Sequence, residues 1–161
     1  MVNGLINTLV AFLMGGATLS FSFAAADAGG EVVSTEGTII SVGENYRMET
    51  TEVVIAYNGK ELGIYQKGID EIVLQPAGDV SGANAAALMS NPFSMLTSGA
   101  YEVIPSVADS RGIPSNILLK SKTGAQYTIK ILKYAAVSVS DSALFTLNPE
   151  NYPTAVVTDL R

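Results

Sequence analysis

Few of the residues in this chain could carry out chemistry. There is no Cys and no His. A Ser-His-Asp triad, a catalytic thiolate, a Cys/His zinc site and a haem held by either residue therefore cannot be assembled. The remaining candidates are carboxylates. Asp70-Glu71 and Glu49 with Glu52 are acidic pairs, the kind of group that serves glycoside hydrolysis or a hard cation such as calcium. Neither pair has Asp-x-Asp-Gly spacing, and the chain has no Trp to line a sugar cleft, so both fit solvated strand ends better. Gly15-Gly16 and Gly29-Gly30 match neither a phosphate loop nor a dinucleotide fingerprint. Nothing nominates a nucleophile with its base, so the expectation is no enzyme, no metal and no cofactor.

What the elements must position instead is apolar surface. Of 161 residues, 48% are apolar and only 15% charged, against roughly 25% charged in an average soluble domain. Mean hydropathy is +0.32. Nine Lys and Arg against fifteen Asp and Glu give a net charge of −6, which argues against nucleic acid as the main partner. The length suits one domain over residues 1–161.

The most apolar run is Leu5–Leu13. No Lys or Arg precedes it, unlike a signal peptide, and it is shorter than the roughly 20 residues that span a bilayer. Val2, Leu5, Ile6, Leu9, Val10 and Leu13 follow helical spacing. An amphipathic helix over residues 1–14, stopped by Gly15-Gly16, is expected to belong to the mature domain, with any export signal already removed.

The period then changes to two. Leu19, Phe21 and Phe23 alternate with Thr18, Ser20 and Ser22, a half-buried strand. Strands are expected at Gly37–Val42, around Tyr46 and Met48, and from Val53 through Ile55 to Tyr57. Asn58-Gly59 is a strong hairpin signal. Leu62 with Ile64, and Ile72 with Leu74, continue the series up to Pro76. After a loop, residues 81–99 read as a helical segment: Ala83–Ser90 first, then a second short helix opened by Asn91-Pro92. Strand periodicity returns at Tyr101 and Val103, at Ile117–Lys120, and at Tyr127, Ile129 and Ile131. Ala143–Leu147 and Ala155–Leu160 read as closing strands. The fold class is thus α+β, with one long antiparallel sheet: either an ordinary α+β core or, in the sharper form, an incomplete half β-barrel of about nine to eleven strands, with the N-terminal helix and short lid helices over its concave face.

Phe21, Phe23, Tyr46, Met48, Ile55, Tyr57, Ile64, Ile72 and Leu74 are the candidates for the concave face. Each alone could be ordinary core; as a group they could line a cavity. Leu88, Met89, Phe93, Met95 and Leu96 are the lid candidates. The unbranched methionines suit a surface that accommodates varied chains, or fill gaps. Arg47 is out of phase with Tyr46 and Met48, which points it away from the apolar face as a solvated charge or cross-strand partner.

Several strings, in order, resemble the periplasmic lipoprotein carrier LolA and its LolA-like relatives. They are the helix Val2–Leu13 with strand Leu19–Phe23, then Gly37-Thr38-Ile39-Ile40, Asn45-Tyr46-Arg47-Met48-Glu49, and the hairpin Tyr57–Tyr65. Asn91-Pro92-Phe93, Ser142–Leu147, Asn151-Tyr152-Pro153 and Val157–Arg161 complete the series. Two departures stand out: Gly43-Glu44 occupies the place where family carriers often have a lid-latching Arg-Pro pair, and the stretch from Tyr101 to Ile117 is shorter, as if a hairpin were missing. The resemblance implies an exported, monomeric periplasmic protein of the Gram-negative envelope. It would hold acyl chains of lipoproteins, or other lipids, between sheet and lid. Its partners would be an inner-membrane release complex and an outer-membrane acceptor. The alternatives are a structural or protein-interaction envelope module with a filled core and, third, a hydrolase.

Overall fold

The computed structural model describes residues 4–26, 32–76, 93, 96, 99, 101–139 and 141–161. Helix α1 (Gly4–Met14) buries Ile6, Leu9 and Leu13, one stripe of the expected pattern. It stops where foreseen. The Gly15 amide donates back to the Ala11 carbonyl at 3.0 Å, and Gly16 takes φ +106°, where a Cβ would stand 2.5 Å from the Val137 carbonyl oxygen. Only glycine fits there.

Among the described residues ten strands follow: β1 (Ala17–Ala26), β2 (Val32–Val42), β3 (Asn45–Thr50), β4 (Val53–Tyr57), β5 (Glu61–Gln66), β6 (Glu71–Pro76), β7 (Tyr101–Pro105), β8 (Asn116–Ser121), β9 (Gln126–Ala136) and β10 (Val156–Asp159). They form one sheet in the order β10-β6-β5-β4-β3-β2-β1-β9-β8-β7. The first six are joined as sequential antiparallel neighbours, with Asn58-Gly59 turning β4 into β5. The Asn58 side-chain oxygen accepts from the Lys60 and Glu61 amides, both at 2.9 Å. β9 returns to pair with β1, placing the later hairpins on the other side of the helix-bearing strand. β10 and β7 are the edges of this sheet, so the barrel is incomplete.

Two expectations need correction. Ala143–Leu147 is not a strand: Ser142–Phe145 is a 3₁₀ turn, with the Asp141 carboxylate accepting from the Ala143 amide, and Asn148-Pro149 opens a second one at Pro149–Asn151. Asp and Asn caps spaced this closely favour turns over a ladder. The sheet is also not wholly antiparallel, because β10 runs parallel to β6. The helical segment expected at 81–99 lies almost wholly outside the described residues.

Cross-strand register decides which side chains share a face. Leu19, Phe21 and Phe23 on β1 oppose Ile39, Gly37 and Thr35 on β2. Met48 opposes both Ile39 and Ile55, and Ile55 opposes Ile64. On the other flank Phe21 and Phe23 oppose Ile131 and Ile129, and Ile129 opposes Ile117. Residues of β1 to β5, β8 and β9, from Leu62 on one flank to Leu119 on the other, join α1 in a single buried cluster. The sheet therefore curls around α1, and this side is its concave face.

The convex face carries a second, smaller cluster. Val54, Ala56, Ile72 and Leu74 pack under Leu147, with Tyr65, Tyr152 and Ala155 alongside. A Cβ on Gly63 would lie 2.6 Å from the Leu147 Cβ, so glycine is what lets the 142–155 segment settle onto the strands.

Candidate functional site

On the concave face burial is graded. Phe21, Met48, Ile55 and Tyr46 are buried, together with Leu19, Ile39, Leu62, Ile117, Leu119 and Ile129. Phe23, Tyr57 and Ile64 are only partly buried and pack against the same cluster, as do Val53, Tyr101, Val103 and Tyr127. Seven of the nine cavity candidates are thus brought together. Ile72 and Leu74 are not. Ile72 opposes Tyr65 and Leu74 opposes Gly63, which puts both on the convex face beneath Leu147. On β6 it is Val73, opposite Ile64, that shares the concave phase.

Among the lid candidates, Phe93 and Leu96 are buried in the concave cluster, and the Phe93 ring meets Phe21 edge-on with centroids 5.3 Å apart. Leu88, Met89 and Met95 lie outside the described residues. The flank built by β7, β8 and β9 adds residues to the concave face beyond the sequence-based candidates. Tyr127 stacks on Phe23 at 5.8 Å and meets Tyr101 edge-on at 5.7 Å. Low dielectric around Tyr101 raises its phenol above the ordinary value, with Tyr127 adding a smaller effect. The signal was present in the strict alternation of Tyr127, Ile129 and Ile131.

The shortened stretch between β7 and β8 closes one end of this face. Asp109 organises it: its carboxylate accepts from the Arg111 and Ile113 amides at 2.9 and 3.1 Å, and from the Tyr134 hydroxyl. The Tyr134 hydroxyl first, then the Ile113 amide, hold the Asp109 carboxyl below its ordinary value. This geometry drives Ile113 into the concave cluster and brings Gly112 against Thr8 of α1. Gly43 turns β2 into β3 and donates to the Met14 carbonyl at 2.8 Å. It ties down the end of α1.

The charged candidates have structural partners. Arg47 points to the convex side and donates to the Leu144 carbonyl at 3.3 Å. Glu49 pairs with Lys67 at 3.2 Å. Asp70 accepts from the Tyr65 hydroxyl at 2.8 Å and the Thr154 hydroxyl at 2.7 Å, and so fastens the C-terminal segment. Among the described residues no three His, Cys, Asp or Glu side chains gather as a metal site, and no helix is long and apolar enough to cross a membrane.

An open sheet curled around one N-terminal helix, with an apolar concave face, defines an incomplete β-barrel of the α+β class. Two solved structures of this kind resemble the chain. A LolA superfamily protein from Nitrosomonas europaea superposes with a TM-score of 0.55 and 10% identity, covering 91% of this chain and 97% of that one. An uncharacterized conserved protein from Thermus thermophilus gives a TM-score of 0.56 and 8% identity, covering 96% of each. No protein-family model and no curated protein matches the sequence. At these identities the likeness shows the fold, and the fold is LolA-like.

Proposed function

We propose that the chain is a non-enzymatic carrier that holds acyl chains, most directly those of lipoproteins, against its concave face. The observation that carries this reading is the graded burial there. A half-buried strip of Phe23, Tyr101, Val103, Tyr127, Tyr57, Ile64 and Val53 borders a fully buried interior, offering apolar surface that an acyl chain can cover. Phe21, Phe23, Tyr46, Met48, Ile55, Tyr57 and Ile64 would form the bed, and Phe93 and Leu96 the cover. Ile72 and Leu74 have no part in it. Binding would come from burial, at about 0.8 kcal/mol for each methylene withdrawn from water. The LolA-like fold supports a periplasmic location and handover between an inner-membrane release complex and an outer-membrane acceptor, by a monomer.

Native mass spectrometry of the chain as purified, and titration of the delipidated chain with a fluorescent fatty acid, test the proposal. Retained lipid and saturable binding are expected; neither being found would overturn it. One observation favours a second reading, an interaction module with a filled core. Ile6 and Leu9 of α1 are wholly buried in the concave cluster. In that case delipidation would release nothing, while the chain would still capture a protein from envelope extract.

A further inference from the structure

Among the described residues, the C-terminal segment covers the β3–β6 part of the convex face. On the β7-β8-β9-β1 part, register places three rows side by side. Glu102 opposes Lys120; Ile104 opposes Leu118, which opposes Thr128; Asn116 opposes Lys130, which opposes Ser22. Successive rows lie about 7 Å apart. Lys133 follows on β9 beyond Leu132, the extra residue at the register shift, and Leu132 is 55% exposed. Lys122 sits in the β8–β9 turn. All four lysines are exposed, and none is in an ion pair among the described residues. Residues 101–136 hold five Lys and Arg against two Asp and Glu, whereas the rest of the chain holds four against thirteen. The sign reverses at Glu36, opposite Ser22, and at Glu49, opposite Thr38.

We propose that this part of the convex face, with exposed Lys120, Lys130 and Lys133 flanking exposed Ile104 and Leu132, docks the protein on a bilayer surface bearing anionic headgroups. The charge is complementary, the four lysines gather on or beside one face of an otherwise acidic protein, and they are interleaved with apolar side chains that can enter the interface. Sheet curvature puts this face opposite the concave one, so docking stands whatever the concave face holds.

Flotation of the full chain with vesicles of phosphatidylglycerol and phosphatidylcholine, or of phosphatidylcholine alone, is the test. Capture by the anionic vesicles only is expected, fading as salt shortens the screening length to below ~10 Å. Each lysine should contribute about fivefold in binding. The Lys120→Ala, Lys130→Ala, Lys133→Ala triple variant should therefore bind about a hundredfold more weakly, while Lys60→Ala, on the β4–β5 turn, binds as the parent does. Should the triple variant misfold, the salt series on the parent chain still decides. Equal capture by neutral vesicles, indifference to salt, an equal loss in Lys60→Ala, or capture by a soluble acidic polypeptide but not by vesicles would overturn it.

Discussion

One sheet carries two apolar surfaces, and they are closed in different ways. The convex cluster is small and sealed. Leu147 sits over Gly63 in backbone-close contact, and polar pins surround it: Arg47 to the Leu144 carbonyl, Asn58 to Thr146 at 3.0 Å, and Tyr65 and Thr154 to Asp70. The concave cluster draws on strands β1 to β5 and β7 to β9 and on α1, and it grades outward into half-buried aromatic rings. A surface meant to stay shut needs directional bonds at its rim, since apolar contact alone does not fix the position of a strap. The acyl-binding role proposed for the concave face calls for the graded rim instead.

The sharpest way to break this contrast is to truncate one buried side chain on each face. Phe21→Ala should cost about 3–5 kcal/mol of stability, and Ile72→Ala about 2–5, read by urea unfolding. Both variants are destabilised, but fatty-acid affinity should change in Phe21→Ala only. If Ile72→Ala weakened the ligand as much, the two faces would not be separate in function.

Gly63→Val tests the seal itself. With Leu147 unable to retreat, overpacking should cost about 1–3 kcal/mol, and limited proteolysis should cut between Asp141 and Ala155 well before the sheet. Unchanged protease resistance would mean the strap is not held by that contact.

How each face could be read from sequence follows from its composition. On β1 polar residues separate the apolar ones, as they do at Gln126–Ile131, and the inward phase is unambiguous. On β4 the run Val53-Val54-Ile55-Ala56-Tyr57 is apolar on both sides because both sides are covered. A strand covered on both faces loses its alternation. β6 has the same defect in Ile72-Val73-Leu74, where the larger pair invites the wrong phase. The covering strap was itself hidden. Ala143, Leu144, Phe145 and Leu147 are apolar enough for a strand, and only the Asp141 and Asn148 caps mark the turns. The parallel β10 pairing with β6 is long-range and leaves no local trace. The β4–β5 hairpin, by contrast, was legible because Asn58-Gly59 supplies the turn and Gly59 its positive φ.

Smaller effects are expected at the concave rim. Tyr127→Ala removes a half-buried ring and should cost about 1 kcal/mol, roughly half the transfer term of a fully buried one. Its larger effect should fall on ligand affinity, because the ring stacks on Phe23 where the face opens. A variant that lost stability without losing affinity would move the binding surface towards the β4–β5 flank, to Tyr57 and Ile64.

The smallest effect tests the pins of the convex strap through pH. The Thr154 hydroxyl, and then the Tyr65 hydroxyl, hold the Asp70 carboxyl below its ordinary value of 3.8. A lowered carboxyl favours the folded state while it is ionised, so its stabilisation is complete above the ordinary value and fades as acid carries the pH down through the lowered one. The same bond raises the Tyr65 phenol above 10.0. That contribution has the opposite sense: it is complete below 10.0 and lost as alkali carries the pH up through the raised value. Asp70 sits at φ +51°, a conformation Asn tolerates as well as Asp does, so Asp70→Asn removes the charge without straining the turn. The variant should melt slightly below the parent at neutral pH, and the gap should narrow in strong acid and again in strong alkali. A gap that stayed constant across both limbs would show that the strap is held by packing on Leu147 alone.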